Sequence, residues 1–388
     1  MDLAPSTAAP PLPNFDHVSF TGEGRRADPH RLLDAADRWT PVASRTISRF
    51  DVEAFQHVHG LKEFDAAPTA SVDAIIEVLN DPRFRKGAAA DLRDVSGGAA
   101  ERIGRAVRAG IPIEVVIPSF AGRPHNPAAH RRVSPDLGEL YALQRLKNVA
   151  DAVQRAYPPG LIFTLILDGR AYRPFYGYSD HEAMPYGANL GTLIGWLGAR
   201  RQIRTVELSD LMSSRVKDLD AVDALIRHEV GTAWESHRFA GREELVRALR
   251  QGTETTAVSA ALIELYKSGG WRDVDLASYF ERAESIVQRR AEHTAFEYAV
   301  LMSKLKRIDL IGSAFWGALR GTVHPKPGQY SPRLTDPATA ISPWHGVAIC
   351  RRDGRIVTEY ESIVYQDFDR YRAVFVEGDE APFYYEEM

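Results

Sequence analysis

Ile111-Pro112-Ile113-Glu114-Val115-Val116-Ile117-Pro118 is followed at once by Ser119-Phe120-Ala121-Gly122-Arg123-Pro124-His125-Asn126-Pro127. The first segment is apolar and β-branched, which is typical of a buried strand. The second has the composition of a loop and carries a guanidinium, an imidazole and an amide. In α/β sheets, ligands bind where such strands end and their loops begin. The two segments together therefore predict a strand of an α/β sheet with a ligand site at its end.

A predicted βαβ unit contains this loop. After Ser134-Pro135-Asp136, apolar residues recur at helical spacing as far as Tyr157-Pro158-Pro159-Gly160, which ends the helix. Pro135 suits the first turn of that helix, where a missing N–H costs little. The apolar segment Leu161-Ile162-Phe163-Thr164-Leu165-Ile166-Leu167 follows as a second strand. A strand–helix–strand order predicts two parallel strands that are buried on both faces.

The remaining segments predict one α/β domain, residues 26–375, with a flexible segment at each end. The predicted parts are a Pro/Ala-rich arm at 1–25, a helix starting at Ser71, a third strand at 203–208, a helical insertion at about 215–310, a short strand at 319–324, a β-hairpin at 347–360 turned at Asp353-Gly354, and an acidic tail at 376–388.

Composition narrows the class of protein. The chain has 388 residues, of which 44% are hydrophobic, and its 48 basic and 52 acidic residues give a net charge of −4. This balance argues against a dedicated nucleic-acid binder, and no apolar segment is long enough for a membrane span. The N-terminus lacks the pattern of a signal peptide. Cys350, the single cysteine, excludes an internal disulfide and is predicted to be a structural thiol in a strand. We therefore expect a cytoplasmic protein.

Two groups of candidate side chains follow the predicted strands. Arg123, with His125 and Asn126, carries a planar fork that suits a carboxylate or phosphate; the alternative is a solvated basic loop. Asp168 follows the second strand directly and is placed to act as a base or to hold an amine. Its alternative is a turn at Asp168-Gly169 in which the carboxylate bonds to nearby backbone.

Two further groups contain histidine. His324 lies at the end of the segment that begins at Arg320, and His345 follows Trp344 in Ser342-Pro343-Trp344-His345-Gly346. Histidine exchanges protons near neutral pH, although a buried, satisfied imidazole is the commoner outcome. His324, His345 and Asp168 would supply three metal ligands, but the sequence has no His-x-x-x-His spacing, which would place two ligands on one helix. Metal binding is thus a minority interpretation.

Taken together, these segments resemble the isonitrile (isocyanide) synthase family, also called the pyoverdine/dityrosine biosynthesis family. The resemblance spans roughly residues 70 to 360 as scattered blocks. The matching blocks are Ile117-Pro118-Ser119-Phe120 with Asn126-Pro127, Ser134-Pro135-Asp136-Leu137-Gly138-Glu139-Leu140-Tyr141-Ala142-Leu143, Leu167-Asp168-Gly169-Arg170, Arg320 to His324-Pro325, and Ser342-Pro343-Trp344-His345-Gly346-Val347-Ala348.

The resemblance implies a Rossmann-like α/β enzyme that needs no metal or redox cofactor. Such enzymes join the α-amino group of tyrosine or tryptophan to the keto carbon of ribulose 5-phosphate, the co-substrate. The sugar is then broken down and leaves one carbon on nitrogen as an isonitrile. A separate iron/2-oxoglutarate oxygenase often processes the product. The dityrosine branch is associated with an N-formyl product instead.

This chemistry requires sites for two anions and several proton transfers. Arg123 and Arg320 are the candidates for the anions, and Asp168, His324 and His345 are those for the protons. We expect Arg123, Asp168, His324 and His345 to be catalytic. The expected substrate-binding residues are His125, Asn126, Glu139, Arg170, Arg320 and Trp344.

The chain departs from the family at three places. Arg123 stands where relatives usually carry lysine, the region 329–334 lacks a second lysine, and Pro174-Phe175-Tyr176-Gly177 replaces an expected aspartate. Arginine cannot readily give up a proton or form an imine. Three alternatives therefore stay open: a diverged member making an N-formyl or other C–N product, a non-catalytic small-molecule binder, and, less favoured, a metal-dependent hydrolase. The protein is expected to be a monomer or homodimer.

Overall fold

A computed structural model describes most of the chain apart from its N-terminal part and its middle. The described residues are 43–62, 71–87, 92–93, 98–123, 130, 132–171, 180–213, 224, 228, 309–323, 325, 328–339, 341–361, 364 and 368–388. The predicted arm at 1–25 and almost all of the predicted helical insertion lie outside them. So do three candidate site residues, His125, Asn126 and His324.

Strands and helices alternate along the chain from β2 to β4. The strands are β1 (Ser44–Ile47), β2 (Ile113–Pro118), β3 (Leu161–Leu167), β4 (Ile203–Glu207), β5 (Leu319–Arg320), β6 (Val347–Cys350), β7 (Ile356–Glu359), β8 (Tyr371–Val376) and β9 (Tyr384–Glu387). The helices are α1 (Val52–His59), α2 (Val72–Asn80), α3 (Ala99–Ala109), α4 (Leu137–Ala156), α5 (Asp180–Trp196), α6 (Leu208–Ser213) and α7 (Leu310–Ala314).

The predicted parallel sheet is confirmed. β2 pairs in parallel with β3, β3 with β4, and β2 with β5, giving the order β4-β3-β2-β5. In chain order these are the third, second, first and fourth strands of the sheet, which is how the doubly wound nucleotide-binding sheets begin. The Rossmann-like label itself stays a prediction, because the described part of this sheet ends at four strands.

Helix α4 connects β2 to β3 and is buried along most of its length. It begins after Asp136, which is its N-cap, so Pro135 precedes the helix instead of occupying its first turn as predicted. The side chain of Asp136 accepts a hydrogen bond from the Gly138 N–H (2.6 Å), and Glu139 accepts one from the Asp136 N–H (2.9 Å). This reciprocal capping satisfies backbone donors that would otherwise be buried without partners. α4 contacts β3 on one side and β6 and β7 on the other, so it lies between two sheets.

The second sheet was not predicted. It contains five strands in the order β1-β8-β9-β6-β7. The predicted hairpin is confirmed as the antiparallel pair β6–β7, with Gly354 at a φ of +80° in its turn. Cys350 ends β6 half-buried, and burial raises the pKa of its thiol. Both findings agree with the local sequence pattern.

The predicted acidic tail is wrong for the last residues of the chain. β9 lies at the centre of the five-stranded sheet, antiparallel to β8 and parallel to β6. Its carboxylates are paired: Glu386 with Arg372 (2.7 Å), and Glu387 with Arg370 (2.5 Å). Tyr385, which precedes them in β9, is 1% exposed. The acidic composition thus reflects basic partners on neighbouring elements, which local sequence cannot reveal.

No helix within the described ranges combines the length and apolar character needed to cross a membrane.

Replacing Tyr385 with alanine tests the central position of β9. We expect Tyr385→Ala to lower the free energy of unfolding by about 3–5 kcal/mol, because it leaves a cavity in place of a fully buried ring. Met388→Ala, at a partly exposed neighbouring position, should change it by less than about 0.5 kcal/mol. Urea denaturation measures both. Equal stability of the two variants would mean that the chain end is not part of the core.

Candidate active site

The candidate site lies at the carboxyl edge of the parallel sheet. β2, β3 and β4 end at Pro118, Leu167 and Glu207, and their parallel register brings the following loops to the same edge. The strand order reverses between β2 and β5, and such a switch point opens the crevice in which α/β proteins bind ligands. Beside the ends of β2, β3 and β4, the described residues enclose a narrow cavity of about 10 Å³, the space of one water molecule. It is lined by Phe120, Gly122, Arg123, Leu167, Gly169, Arg170, Ala183, Tyr186, Gly187 and Glu207.

The loop after β2 has a strained backbone. Phe120 adopts a φ of +58°, which is costly for a residue with a Cβ. Its side chain is fully buried, and its ring centroid lies 4.9 Å from that of Trp344. Packing between the two rings therefore holds the loop in this conformation, next to the cavity.

Arg123 lies in this loop and is buried, with 2% of its surface exposed. Its Nη2 donates to Asp136 Oδ2 (2.8 Å) and to the carbonyl oxygens of Pro343 (3.1 Å) and Gly346. Its Nη1 donates to the Ser134 carbonyl oxygen (3.3 Å), and its Nε lies 3.1 Å from Glu139 Oε1. The guanidinium is thus surrounded by protein groups on most of its donor atoms.

Two carboxyl groups share this one cation. Asp136 Oδ2 also accepts from the Ala348 N–H (3.2 Å), and Glu139 Oε1 accepts from the Tyr186 hydroxyl (3.1 Å). Burial raises the pKa of Glu139 to about 8, although the charge of Arg123 opposes this shift. Burial lowers the pKa of Arg123, but the charges of Asp136 and Glu139 raise it by more, so the net shift is upward. We call Arg123, Asp136, Glu139 and Tyr186 the Arg123 network.

The structure thus gives Arg123 and Glu139 partners within the protein. Their predicted contacts with a substrate are not tested by it and stay predictions. The geometry favours a positioning role, since the network joins the loop after β2 to α4, α5 and β6.

Asp168 is the catalytic candidate whose environment brings the pKa of its carboxyl close to neutrality. It follows β3 directly, and its Oδ1 is shut off from solvent with no hydrogen-bond partner among the described residues. Burial raises the pKa of its carboxyl to about 7, and the negative charge of Glu207 adds to the shift. Glu207 is the register partner of Leu167, so both carboxyls lie at the ends of neighbouring strands. A carboxyl with a pKa near neutrality can both accept and donate a proton.

Gly169 allows the loop that carries Asp168 to approach the loop after β2. A Cβ at this position would collide with the backbone carbonyl of Ala121 and would lie 3.3 Å from the Gly122 nitrogen. Glycine is required here because there is no space for a Cβ. Its backbone conformation is not the reason, since the φ of Gly169 is not positive. It sets how near Asp168 lies to the Arg123 network.

Arg320 ends β5 on the other side of β2. It is half-buried, and its Nη1 is a buried donor without a hydrogen-bond partner in the described part of the chain. Burial lowers the pKa of its guanidinium, and the charge of Asp309 opposes the shift. A half-buried cation with a spare donor at the ligand edge suits an anion.

For the remaining described candidates, Trp344, His345 and Arg170, the structure gives a location and no further evidence of a role. Trp344 and His345 form a short 3₁₀ turn before β6, with ring centroids 6.0 Å apart. Trp344 is buried against Phe120, His345 is half-buried, and Arg170 lines the cavity. Their predicted roles stay predictions. Within the described ranges, no group of three or more His, Cys, Asp and Glu side chains is placed to hold a metal ion.

Sequence reasoning missed three residues of this site. Asp136 could have been found from the Asp-x-x-Glu capping pattern with Glu139. Glu207 is the last residue of β4, but the predicted strand ran on to Leu208, so the rule that selected Asp168 after its strand did not reach Glu207. Tyr186 has no local signal, because its contact with Glu139 joins residues far apart in the chain.

The fold and the edge site define an α/β protein with a carboxyl of raised pKa, Asp168, at the carboxyl edge of its parallel sheet. Comparison with known proteins makes this more specific. The model of the pyoverdine/dityrosine biosynthesis protein family matches residues 103–371, and the chain belongs to this family. The resemblance predicted from the sequence is thereby confirmed.

Individual relatives agree with this assignment. An L-tyrosine isonitrile synthase of Pseudomonas aeruginosa is 25% identical over 293 residues, 73% of this chain and 84% of the relative. An L-tyrosine isonitrile synthase of Xenorhabdus nematophila is 22% identical over 64% of this chain and 71% of its own length. The crystal structure of the PvcA protein of Pseudomonas aeruginosa shares the fold, with a TM-score of 0.62 at 23% identity, over 82% of this chain and 99% of that one.

Asp168→Asn tests the raised pKa. The folded protein holds the Asp168 proton more tightly than the unfolded chain does, so wild type loses stability as the pH rises from about 4 through about 7. The variant has no such proton, so its stability relative to wild type should increase by about 1–2 kcal/mol between pH 5 and pH 8. Urea denaturation at both pH values measures this. Asp369→Asn, at an exposed position, is the control and should follow wild type; parallel curves for all three proteins would contradict the assignment.

Arg123→Met tests the Arg123 network. It leaves two buried carboxyls without a cation, and we expect a loss of about 3–5 kcal/mol in the free energy of unfolding at pH 7. Arg123→Lys keeps a charge but not the planar fork, so its free energy of unfolding should lie between those of wild type and Arg123→Met. Arg201→Met, at an exposed position, should cost less than about 0.5 kcal/mol. If Arg123→Met were as stable as this control, the Arg123 network would not stabilise the fold.

Proposed function

We propose that this protein is an isonitrile synthase that joins the α-amino group of an aromatic amino acid to the keto carbon of ribulose 5-phosphate. The observation that carries the proposal is Asp168, whose pKa is about 7, at the ligand edge of a family member's sheet. The relatives are named for tyrosine and, in Fischerella ambigua, for tryptophan. Ribulose 5-phosphate enters from the chemistry of the family.

Imine formation needs a neutral amine and an acid that expels water from the carbinolamine. In our proposal Asp168 takes the proton from the substrate ammonium, returns it to the departing hydroxyl, and removes a proton in a later step. Burial holds the pKa of Asp168 high, with a contribution from the charge of Glu207 one strand away, and so keeps this proton available. Its charge also favours binding of the ammonium form before the proton is lost.

Anion binding is assigned to Arg320, which has a buried spare donor. Arg170, on the cavity wall, is the second candidate. Arg123 acts in this scheme as a positioning residue, because its donors contact Asp136 and backbone carbonyls. Trp344 and Phe120 are proposed to border the aromatic ring of the substrate. His125, Asn126, His324 and His345 keep the roles predicted from the sequence.

The remaining features are proposed on the same family basis. The reaction uses no metal or redox cofactor, and it takes place in the cytoplasm in a monomer or homodimer. A separate iron/2-oxoglutarate oxygenase would take up the product. The fold is proposed to be Rossmann-like beyond the four described strands.

The test is incubation of the purified protein with ¹³C-labelled ribulose 5-phosphate and a mixture of the common amino acids. Mass spectrometry should detect one amino acid that has gained a single labelled carbon as an isonitrile. Asp168→Asn should lower kcat by about 10²–10⁴-fold, as expected for a lost acid–base group. Asp369→Asn is the matched control and should stay active. An unaltered kcat for Asp168→Asn would remove Asp168 from the mechanism.

An N-formyl product is the second candidate. The observation that favours it is Arg123, which occupies the place of the family's lysine and is committed to protein contacts. The position therefore offers no amine for proton transfer. In the same assay a formamide is heavier than the isonitrile by one water. A folded protein that consumes neither substrate would instead be a binder without chemistry.

A further inference from the structure

A second cleft lies beside α4, away from the cavity at the edge of the sheet. Its volume is about 540 Å³, which is within the range of small-molecule sites. Among the described residues it is lined by four basic side chains and no acidic one. The basic residues are Lys62, Arg83, Arg145 and Arg333. Arg145 lies six residues after Glu139 in α4, or about 9 Å further along the helix axis.

Two arginines of this basic cleft, Arg145 and Arg333, are held by neutral groups. Arg145 donates to the carbonyl oxygens of Arg333 (2.6 Å) and Arg83 (2.6 Å), and to the Tyr141 hydroxyl (3.1 Å). Arg333 Nε donates to the Pro82 carbonyl oxygen (3.0 Å). These bonds fix the side chains but leave their charges in place.

Among the residues that the structure describes, little negative charge balances the cleft. Arg83 is paired with Asp81 at 2.6 Å. In the described part of the chain, neither Lys62 Nζ nor the Arg333 Nη atoms have a hydrogen-bond or ion-pair partner. Lys62 is exposed, so its ammonium can reach a ligand at little cost.

Neighbouring groups respond to this positive charge. Burial lowers the pKa of His59, and Arg145 and Lys62 lower it further. Burial also lowers the pKa of Lys86, with a contribution from Arg333. A bound anion would relieve the repulsion at both positions.

We propose that the basic cleft binds a phosphorylated small molecule with an apolar body. Several fixed cations favour a dianion over a single carboxylate. Leu61, Phe84 and Pro337 provide apolar wall for the rest of the molecule. This second site is independent of the proposed function, because none of its residues lines the cavity at the sheet edge.

The His59 ring provides a local reporter for the test. Inorganic phosphate is titrated into the whole protein at pH 7.5, with sodium chloride of equal ionic strength as the reference, and the His59 ring resonances are followed by NMR. We expect a saturable shift toward the protonated position with phosphate only. The double variant Lys62→Gln/Arg333→Gln should weaken this response by about tenfold or more, from the loss of two charges.

Two controls separate this cleft from other phosphate sites. Arg201→Gln, at an exposed position elsewhere, should leave the His59 response unchanged. Arg320→Gln should also keep it, even if that variant loses the proposed synthase reaction. Each glutamine variant is first shown to be folded by circular dichroism, and Lys62→Gln alone provides a mild version because Lys62 is exposed.

Three results would overturn the proposal: an equal response to chloride, no saturation with phosphate, or an unchanged response in the double variant. A hexaglutamate peptide is tested in parallel. Saturable binding of this peptide without binding of phosphate would assign the cleft to an acidic protein surface and would also overturn the proposal.

Discussion

Arg123 carries a full charge at a place that solvent does not reach, and much of the surrounding structure is arranged to satisfy it. A buried cation is tolerated only when opposite charge and hydrogen-bond acceptors surround it. Asp136, Glu139 and the carbonyl oxygens of Pro343 and Gly346 provide them. These partners come from the start of α4 and the turn before β6. The position of one guanidinium therefore fixes how helix and second sheet meet the edge of the first sheet.

The environment of Asp168 depends on this arrangement. Gly169 brings the loop after β3 against the loop that carries Arg123, and Phe120 holds a strained backbone by packing on Trp344. Asp168 is thereby kept in an environment that favours its protonated form. The same burial that makes the Arg123 network costly to break also raises the pKa of Asp168. Stability and proposed chemistry thus share one physical cause at this edge, whereas the basic cleft beside α4 draws on exposed charge.

The candidate site could be predicted in part. Asp168 was selected because it follows an apolar strand, and the structure places it at the predicted edge. Arg123 was selected for its residue type, but its partners lie up to 223 residues away in sequence, at Gly346. Glu207 was overlooked because the predicted third strand ran one residue past it, to Leu208. Residue type and strand position thus predict where ionisable groups gather. They do not predict whether a given group faces a ligand or another side chain.

Local patterns determined the elements of this protein. The β-branched run of β2, the apolar run of β3, the helical spacing of apolar residues in α4 and the Asp353-Gly354 turn each involve neighbouring residues, so the sequence alone predicted them, together with the parallel pairing and the family. Tertiary structure alone decided that β9 lies inside a second sheet and that the charges of Glu386 and Glu387 are paired. It also decided the partners of Arg123 and the raised pKa of Asp168. These features depend on burial and on contacts between distant segments, and such contacts leave no periodic trace in the chain.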